Sequence, residues 1–276
     1  MTTTFSRDDA GAIADEVIAA QAAGGQLAPI SQRRPGFGLP EAYAVTAALR
    51  RLRQARGETP VGRKIGFTNR AMWVEYGVHA PIWGDMYAST VHDLPAGGSR
   101  FPLAGQAEPK IEPEIAFGIG AAPQPGMDDR QILGCVAWVA HAFEVVQSRF
   151  PGWQFSAADG VASGGLHGAL LLGERVDVAV AQAPDWHDRL LNFEVDILRD
   201  GEVVDRGKGL NVLDGPLSAL RHLVELLAAD PHNPQLAAGE IVTTGTLTRA
   251  FSIAPGERWS TQVRGIPLPG LDVTFV

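Results

Sequence analysis

The sequence has little cysteine and no long apolar run. Cys135 is the single cysteine among 276 residues, so no disulfide forms within the chain and a reduced, cytoplasmic setting is expected. Its apolar surroundings predict a buried structural thiol. No apolar stretch approaches the roughly 20 residues of a membrane-spanning helix. Residues 1–16 lack a basic segment followed by an apolar core, which argues against a signal peptide.

An excess of positive charge is also missing. The formal net charge is −8 at pH 7, which argues against a surface for nucleic acid or for anionic membranes. Hydrophobic residues make up 45% of the chain and charged residues 20%, a balance typical of a soluble globular protein. The length allows either one large domain or a small segment followed by a main domain.

Helix signals are concentrated near the N-terminus. Ser6 is a capping residue before an alanine-rich stretch that reaches Ala23, and a second helix opens at Leu39. We therefore expect an N-terminal helical segment, residues 1–60, ahead of a main domain, residues 61–276. Further helices are predicted at Asn69–Gly77, from Asp128 to Ala140, and from Asp214 onwards.

Short strands dominate the remainder of the chain. They are rich in apolar and β-branched residues, and the segment 153–168 between two of them is predicted to be a glycine-rich loop over a pocket. Because strands and helices do not alternate regularly, we predict a β-rich α+β fold. Strands are predicted near 61–67, 110–119, 142–147, 169–172, 192–199, 202–207, 241–246, 259–263 and 273–276.

Two carboxylates stand two residues apart in one of these strands. Glu112 and Glu114 in KIEPEIAFGIG leave the strand from the same face, where like charges repel and resist burial. A third carboxylate, Glu144, follows in an apolar run. A divalent cation would neutralise the group, and Mg²⁺ or Mn²⁺ prefers such hard oxygen ligands. From the spacing alone, a solvated strand face is the more common explanation of Glu-X-Glu.

Lys64 lies in the glycine-flanked strand VGRKIGF. Since lysine is mostly exposed, the residue pattern favours a surface side chain over a buried cation that faces an anionic substrate. Asp159 and His167 lie in the glycine-rich segment, where loop conformation alone would explain an aspartate.

The order of these segments resembles the 2-keto-4-pentenoate hydratase / 2-oxohexenedioate decarboxylase family of the fumarylacetoacetate hydrolase superfamily. The resemblance extends from about Val61 to the C-terminus, and several segments in the right order are far more specific than Glu-X-Glu. The matching segments are GRKIGFTN (62–69), KIEPEIAFGI (110–119), FEVVQSRFPGW (143–153), RGKGLNVLDGPLSAL (206–220) and EIVTTGTLT (240–248).

The resemblance implies a fold and a metal site. The superfamily fold is a β-roll-like α+β domain of mixed sheets, often assembled as homo-oligomers. Carried over to this chain, the metal ligands are Glu112, Glu114 and Glu144, the cofactor is Mg²⁺ or Mn²⁺, and Lys64 faces the substrate.

The resemblance also implies an activity. It assigns contacts with substrate oxygens to the TG turn, here Thr244, Gly245 and Thr246. The implied reaction is that of a hydro-lyase of aromatic compound catabolism, which adds water to a 2-hydroxy-dienoic (2-keto-enoic) acid through a metal-stabilised enolate.

The proton-handling part of the implied site departs from the family's pattern. The loop after the third ligand reads like D-T-V-A-D-N-x-S in many family hydratases, whereas here it reads DGVASGGLH from Asp159 to His167. The later Asp-Asn pair is absent. The catalytic candidates are therefore Lys64, Asp159 and His167, with His79 and Asp85 as further candidate replacement acids or bases.

Several alternative functions stay open. A 2-oxo-hexenedioate (4-oxalocrotonate) decarboxylase would need an additional cation for the distal carboxylate, and Arg63, Arg70 and Arg149 are candidates. The same metal site suits a C–C bond hydrolase or tautomerase of acylpyruvate type. The altered loop also fits a non-catalytic subunit that associates with a related decarboxylase or hydratase. A structural domain without a site would require the three glutamates to lie far apart.

Overall fold

A computed structural model describes residues 5–70, 73, 78, 80–95, 97–178 and 183–276. Its α-helices are α1 (Arg7–Ala22), α2 (Ile30–Arg33), α3 (Leu39–Ala55), α4 (Asp129–Leu133), α5 (Ala157–Ala162), α6 (Ala183–Asn192) and α7 (Pro216–Ala229). Its 3₁₀ helices are Ala88–Thr90, Pro151–Trp153 and Gly209–Asn211. Its strands are β1 (Pro60–Gly66), β2 (Ile82–Tyr87), β3 (Val91–Asp93), β4 (Ser99–Phe101), β5 (Lys110–Ile119), β6 (Val136–Val146), β7 (His167–Leu172), β8 (Val176–Asp177), β9 (Glu194–Arg199), β10 (Glu202–Lys208), β11 (Ile241–Thr243), β12 (Phe251–Ser252), β13 (Arg258–Arg264) and β14 (Asp272–Phe275).

The larger of two sheets has β5 and β6 at its centre. Its order is β2-β1-β11-β5-β6-β7-β3, with β12 joined to β5 and β8 joined to β6. The β5–β6 pair is antiparallel over nearly the whole length of both strands, while β1–β11 and β3–β7 are parallel. The sheet is therefore mixed, and its two longest strands position the predicted metal ligands.

The odd-numbered face of β5 is covered by apolar residues from two directions. Ile111 belongs to a cluster shared with the smaller sheet, whose order is β10-β9-β13-β14-β4. Ile115, Phe117 and Ile119 belong to a cluster shared with α6 and α7. Each such large side chain stabilises the fold by about 1.5–3 kcal/mol when fully buried. Because side chains alternate along a strand, the even-numbered glutamates are held on the opposite face.

The two sheets are also tied by a buried histidine. The Nδ1–H of His141 on β6 donates to the carbonyl of Glu114 at 2.9 Å, and its Nε2 accepts from the hydroxyl of Thr261 on β13 at 3.0 Å. Burial lowers the pKa of His141 to about 4, so the ring is neutral at physiological pH.

The N-terminal helices pack onto the rest of the chain. Ser6 caps α1 through a reciprocal pair of hydrogen bonds with Asp9, as its sequence position predicts. The helices share one buried cluster with β2 and α5, so the described part of the N-terminal segment is joined to the main domain by apolar contacts. The division at residue 60 stays a prediction. The cluster includes Ile13, Val17, Ala42, Val45, Leu49, Ile82, Ala158 and Val161.

The predicted helix from Asp128 to Ala140 is wrong beyond its first turns. Helix α4 ends at Leu133, and β6 begins at Val136. The spacing of apolar residues in 132–139 fits a helix, but the β-branched and aromatic run VAWVA pairs with β5 instead. Gly134 separates the two elements as the C-cap of α4.

Other local predictions also change. The segment 153–168, predicted to be a loop, contains α5, and β7 already begins at His167. The predicted helix Asn69–Gly77 falls largely outside the described residues. Cys135 is buried, as predicted, and the α+β class with mixed sheets is confirmed. Among the described residues, no helix combines the length and apolarity needed to cross a bilayer.

Candidate metal-dependent active site

Three glutamates converge at the centre of the larger sheet. Glu112 and Glu114 stand on β5, and Glu144 stands directly opposite Glu112 in the β5–β6 register. Opposite residues of an antiparallel pair project to the same face. Each side chain offers a ligand oxygen, and these oxygens all lie within 4.8 Å of one another. The three glutamates therefore meet in space, which excludes a structural domain in which they are unrelated.

This carboxylate cluster is electrostatically expensive without a cation. Glu114 and Glu144 are fully buried. Burial, together with the charges of the other two glutamates, raises the pKa of Glu114 well above its ordinary value. Burial and the charge of Glu144 raise the pKa of Glu112 to about 7. Such a group holds protons at neutral pH unless a cation displaces them.

Lys64 supplies a buried positive charge beside the cluster. Its side chain is only 3% exposed, and Nζ lies 3.2 Å from Oε2 of Glu144. Burial alone would lower the pKa of Lys64, but the negative charges of the three glutamates outweigh it and raise that pKa. The exposed lysine favoured by the residue pattern is therefore wrong. The buried alternative is the one that the structure contains.

Hydrogen bonds from neighbouring elements fix two of the carboxylates. The backbone N–H of Gly245 donates to Oε2 of Glu114 at 2.8 Å. Nδ1 of His167 lies 2.8 Å from Oε1 of Glu144, and its Nε2 lies 2.9 Å from the hydroxyl of Thr90. Burial opposes the charge on Glu144, yet Lys64 and the His167 hydrogen bond lower the pKa of Glu144 below its ordinary value.

Two carboxylate oxygens of the cluster are buried without a hydrogen bond from the described residues. Oε1 of Glu114 and Oε2 of Glu144 are buried and accept no hydrogen bond within the described part of the chain. Oε2 of Glu144 faces Lys64 as an ion pair only. Buried acceptors are normally satisfied, so these two atoms fit a site built for a bound cation.

The cluster opens into a pocket of about 260 Å³. This is slightly below the roughly 300–1,000 Å³ of pockets for drug-sized ligands, a volume that suits a small molecule. Lys64 and Glu112 line its inner end. The apolar walls come from Phe67, Ile82, Val146, Trp153, Phe155 and Leu166. A second cavity of about 120 Å³ is lined by His167, Asp85, Thr90 and Arg149 among others.

Comparison with known proteins identifies the family. The chain matches the fumarylacetoacetate (FAA) hydrolase C-terminal family over residues 77–269. It belongs to this family. Among curated FAA hydrolase relatives it is 30% identical over 268 residues to a 4-oxalocrotonate decarboxylase from a Pseudomonas species, covering 96% of this chain and 97% of the relative. It is 31% identical over 250 residues to a 2-keto-4-pentenoate hydratase from Burkholderia vietnamiensis, covering 90% of both chains.

A solved FAA hydrolase structure has the same fold. It is a 4-oxalocrotonate decarboxylase from Pseudomonas putida, complexed with magnesium and adipate. The two chains superpose with a TM-score of 0.89 at 26% identity, and the match covers 99% of each. The superfamily fold expected from the sequence is therefore confirmed over the entire described chain.

The TG turn expected in FAA hydrolase relatives takes three different positions. The hydroxyl of Thr244 donates to the carbonyl of Ile115, and this fully buried side chain does not line the pocket. Gly245 and Thr246 do line it. The hydroxyl of Thr246 donates to the carbonyl of Thr248. Thr246 therefore lines the pocket, whereas Thr244 is buried against β5, and the substrate contacts implied for Gly245 and Thr246 stay a prediction.

Two further candidates are held away from the pocket. Asp159 accepts hydrogen bonds from the backbone and hydroxyl groups of both Ser31 and Ser156, so it caps α5 and anchors α2. These bonds outweigh burial and lower its pKa, which makes it a poor proton donor. Asp85 pairs with Arg50 at 2.7 Å and faces the second cavity. His79 lies outside the described residues.

The three arginines predicted for a distal carboxylate are committed elsewhere. Arg63 is fully buried and pairs with Asp85 at 3.0 Å. Arg70 pairs with Asp214 at 2.7 Å on the surface. Arg149 donates to backbone carbonyls beside the second cavity. None of the three lines the pocket as the described residues form it.

The sequence reasoning missed four residues of the pocket wall. Thr68 is buried, and its hydroxyl has no hydrogen-bond partner among the described residues. Lys110, Trp153 and Arg249 line the outer part. The sequence does contain a signal for Lys110, because it lies two residues before Glu112 and therefore projects from the same face of the strand. Trp153 ends a short 3₁₀ helix and Arg249 lies in a loop, so neither carries a periodic signal.

Proposed function

We propose that this FAA hydrolase family member is a metal-dependent lyase acting on a small 2-hydroxy-dienoic (2-keto-enoic) acid, with hydration as the leading reaction. The observation that carries the proposal is the convergence of three glutamates with buried Lys64 at the inner end of one small pocket. Relatives named as hydratases of such acids support it.

The residues present fit a divalent cation. Glu112, Glu114 and Glu144 would hold it, since three carboxylate oxygens suit Mg²⁺ or Mn²⁺ and leave positions open for water and substrate. Oε1 of Glu114, which is buried and accepts no hydrogen bond from the described residues, supports this assignment. A cation there would supply Lewis-acid stabilisation of negative charge that develops on the keto oxygen of a 2-oxo acid.

Lys64 supplies the second positive charge of the site. Its ammonium is buried, and the neighbouring carboxylates keep it protonated. We assign it to the substrate carboxylate or keto oxygen, where a fixed charge in a dry pocket stabilises a developing anion more than water does. From this position it also holds a proton within reach of the substrate.

Other residues orient the site rather than react. His167 holds Glu144 through Nδ1 and is itself held by Thr90. This contact makes His167 a positioning residue in our proposal, and the four hydrogen bonds to Asp159 assign that residue to helix capping. The apolar and aromatic walls exclude water from a flat unsaturated chain.

A decarboxylase of 4-oxalocrotonate type is the second candidate, because relatives of that name are equally similar. Both reactions begin with the same 2-oxo acid head group. An acylpyruvate-type hydrolase or tautomerase, and a non-catalytic partner subunit, stay as alternatives. Assembly as a homo-oligomer, association with a related enzyme, a cytoplasmic location and a role in aromatic compound catabolism also stay predictions.

The test is turnover of 2-hydroxypenta-2,4-dienoate and of 4-oxalocrotonate, followed by the loss of ultraviolet absorbance and by mass spectrometry of the product. We expect loss that requires Mg²⁺ or Mn²⁺, stops with chelator and disappears in Glu112→Gln. The exposed Glu174→Gln is the matched control. Addition of water identifies a hydratase, and release of CO₂ identifies a decarboxylase. Turnover that persists with chelator, or none with either acid, would contradict the proposal.

A further inference from the structure

Lys110 continues the row of functional side chains along β5. It stands two residues before Glu112 and four before Glu114, so all three project from the same face of the strand. Lys110 is half-buried, and its Nζ lies 4.0 Å from the ring centroid of Trp153. This cation–π contact holds the ammonium at the outer wall of the pocket.

Arg249 approaches the same end of the pocket from a different element. It follows β11 and the TG turn, and both its backbone N–H and its Nε donate to Oδ2 of Asp205 at 3.1 Å. Its guanidinium carbon lies 5.4 Å from the ring centroid of Phe251. Within the described chain, its terminal nitrogens have no hydrogen-bond partner. Asp205 therefore fixes the guanidinium through Nε, and its terminal N–H groups are available to bind a ligand.

Cationic side chains line the pocket at both ends in an otherwise acidic, lysine-poor chain. The sequence has three lysines, and two of them, Lys64 and Lys110, line this one pocket. Lys64 faces the carboxylate cluster at the inner end, while Lys110 and Arg249 stand at the outer end. The apolar walls lie between the two ends. This distribution matches a ligand with an anionic group at each end and an apolar middle.

We propose that Lys110 and Arg249 bind a second anionic group at the far end of the substrate, so that the pocket prefers a dicarboxylic 2-oxo or 2-hydroxy acid. This inference rests on the proposed function for the inner end of the site. Two strand residues span about 7 Å, the separation expected between Lys110 and Glu112. The two carboxyl groups of an extended six-carbon dicarboxylic acid lie a similar distance apart. This distal contact determines which substrate is bound, and the reaction at the 2-oxo end of the substrate stays the one proposed above.

Steady-state kinetics on a matched substrate pair test the assignment. The pair is 4-oxalocrotonate, with two carboxylates, and 2-hydroxypenta-2,4-dienoate, with one. We expect Lys110→Met and Arg249→Met each to raise KM for the dicarboxylate about tenfold more than KM for the monocarboxylate, with kcat changed little. The controls are exposed Lys208→Met and Arg175→Met; Arg175 also pairs with an aspartate and lies over an aromatic ring. An equal effect on both substrates would overturn the proposal.

A binding measurement separates this inference from the proposed function. Calorimetric titration of the Mg²⁺-loaded protein with adipate and with hexanoate needs no turnover. We expect adipate to bind at least tenfold more tightly, and Lys110→Met to abolish the difference. If neither acid substrate is turned over but this selectivity is found, the distal site stands and the proposed reaction fails. Equal binding of adipate and hexanoate to the wild-type protein would overturn the distal site.

Discussion

Nδ1 of His167 lies 2.8 Å from Oε1 of Glu144, and the hydroxyl of Thr90 lies 2.9 Å from the other ring nitrogen. A carboxylate accepts hydrogen bonds, so Nδ1 of His167 carries a proton directed at Glu144. Glu144 is thereby fixed in orientation while its second oxygen faces Lys64. Outer contacts of this kind orient a metal ligand without touching the metal.

Replacement of His167 should weaken metal binding rather than abolish the chemistry. His167→Ala removes the donor to Glu144, and we expect Mg²⁺ affinity to fall about 10–100-fold, with a smaller change in kcat at saturating metal. His167→Asn should retain much of the affinity, because the Asn amide places a donor close to the position of Nδ1. Calorimetric Mg²⁺ titrations check this. Wild-type affinity in the alanine variant would show that the contact does not position Glu144.

Loss of Lys64 should affect activity and the metal-free protein in different ways. Lys64→Met leaves the glutamates without their buried partner, and removal of one partner of a buried ion pair typically costs about 3–5 kcal/mol. We expect a lower melting temperature without metal, partial recovery with Mg²⁺, and a kcat at least about 10²-fold lower at saturating Mg²⁺. Thermal melts and kinetics, each with and without Mg²⁺, check this. Unchanged kcat would remove Lys64 from the mechanism.

The sequence predicts the inner half of this site better than the outer half. Glu112 and Glu114 stand two residues apart in one strand, so the sequence places both on the same face. Glu144 is assigned to the same site by the resemblance to the family. Lys64 is less predictable, since only the packing of β1 against the glycine-rich segment buries it. The Cβ of a residue at position 165 would lie 3.1 Å from Cδ of Lys64, a contact that no local pattern reveals.

Long-range contacts explain the remaining errors. The apolar spacing in 132–139 fits both a helix and a strand, and pairing with β5 decides for the strand. Asp159 lies in a glycine-rich segment, and this context favours a catalytic loop. In the structure its carboxylate instead accepts a hydrogen bond from Ser31, 128 residues away. Lys110 and Arg249 meet at one pocket although 139 positions separate them, the difference of their residue numbers. No local sequence signal predicts such a pairing.

Gly245 should tolerate no side chain. Its φ is +94°, and a Cβ there would lie 1.9 Å from the hydroxyl oxygen of Thr68. Its N–H also holds Glu114. We expect Gly245→Ala to lower the unfolding free energy by more than about 1 kcal/mol and to weaken metal binding. Gly239→Ala is the control, since its φ is +90° with no atom within 4 Å of the added Cβ. Equal effects of the two variants on Mg²⁺ affinity would contradict the account.

Metal binding should release protons near neutral pH. The pKa of Glu112 is raised to about 7 and that of Glu114 is raised well above its ordinary value, so protons compete with the cation. Because these pKa values are raised on folding, their contribution to the stability of the metal-free protein is present at low pH and is lost as pH rises through about 7. Mg²⁺ affinity should rise over the same interval. Calorimetry in two buffers of different ionisation enthalpy measures the released protons, and zero release at pH 6.5 would contradict this.

Binding of Mn²⁺ to Glu114→Gln is the most direct test of the central claim, that the three glutamates form one cation site. Electron paramagnetic resonance measures free Mn²⁺ without any assumption about the substrate. We predict that the wild-type protein and Glu174→Gln remove one equivalent of Mn²⁺ from solution per chain, whereas Glu114→Gln leaves the free signal nearly unchanged. Wild-type Mn²⁺ binding by Glu114→Gln would contradict the metal site and the function proposed from it.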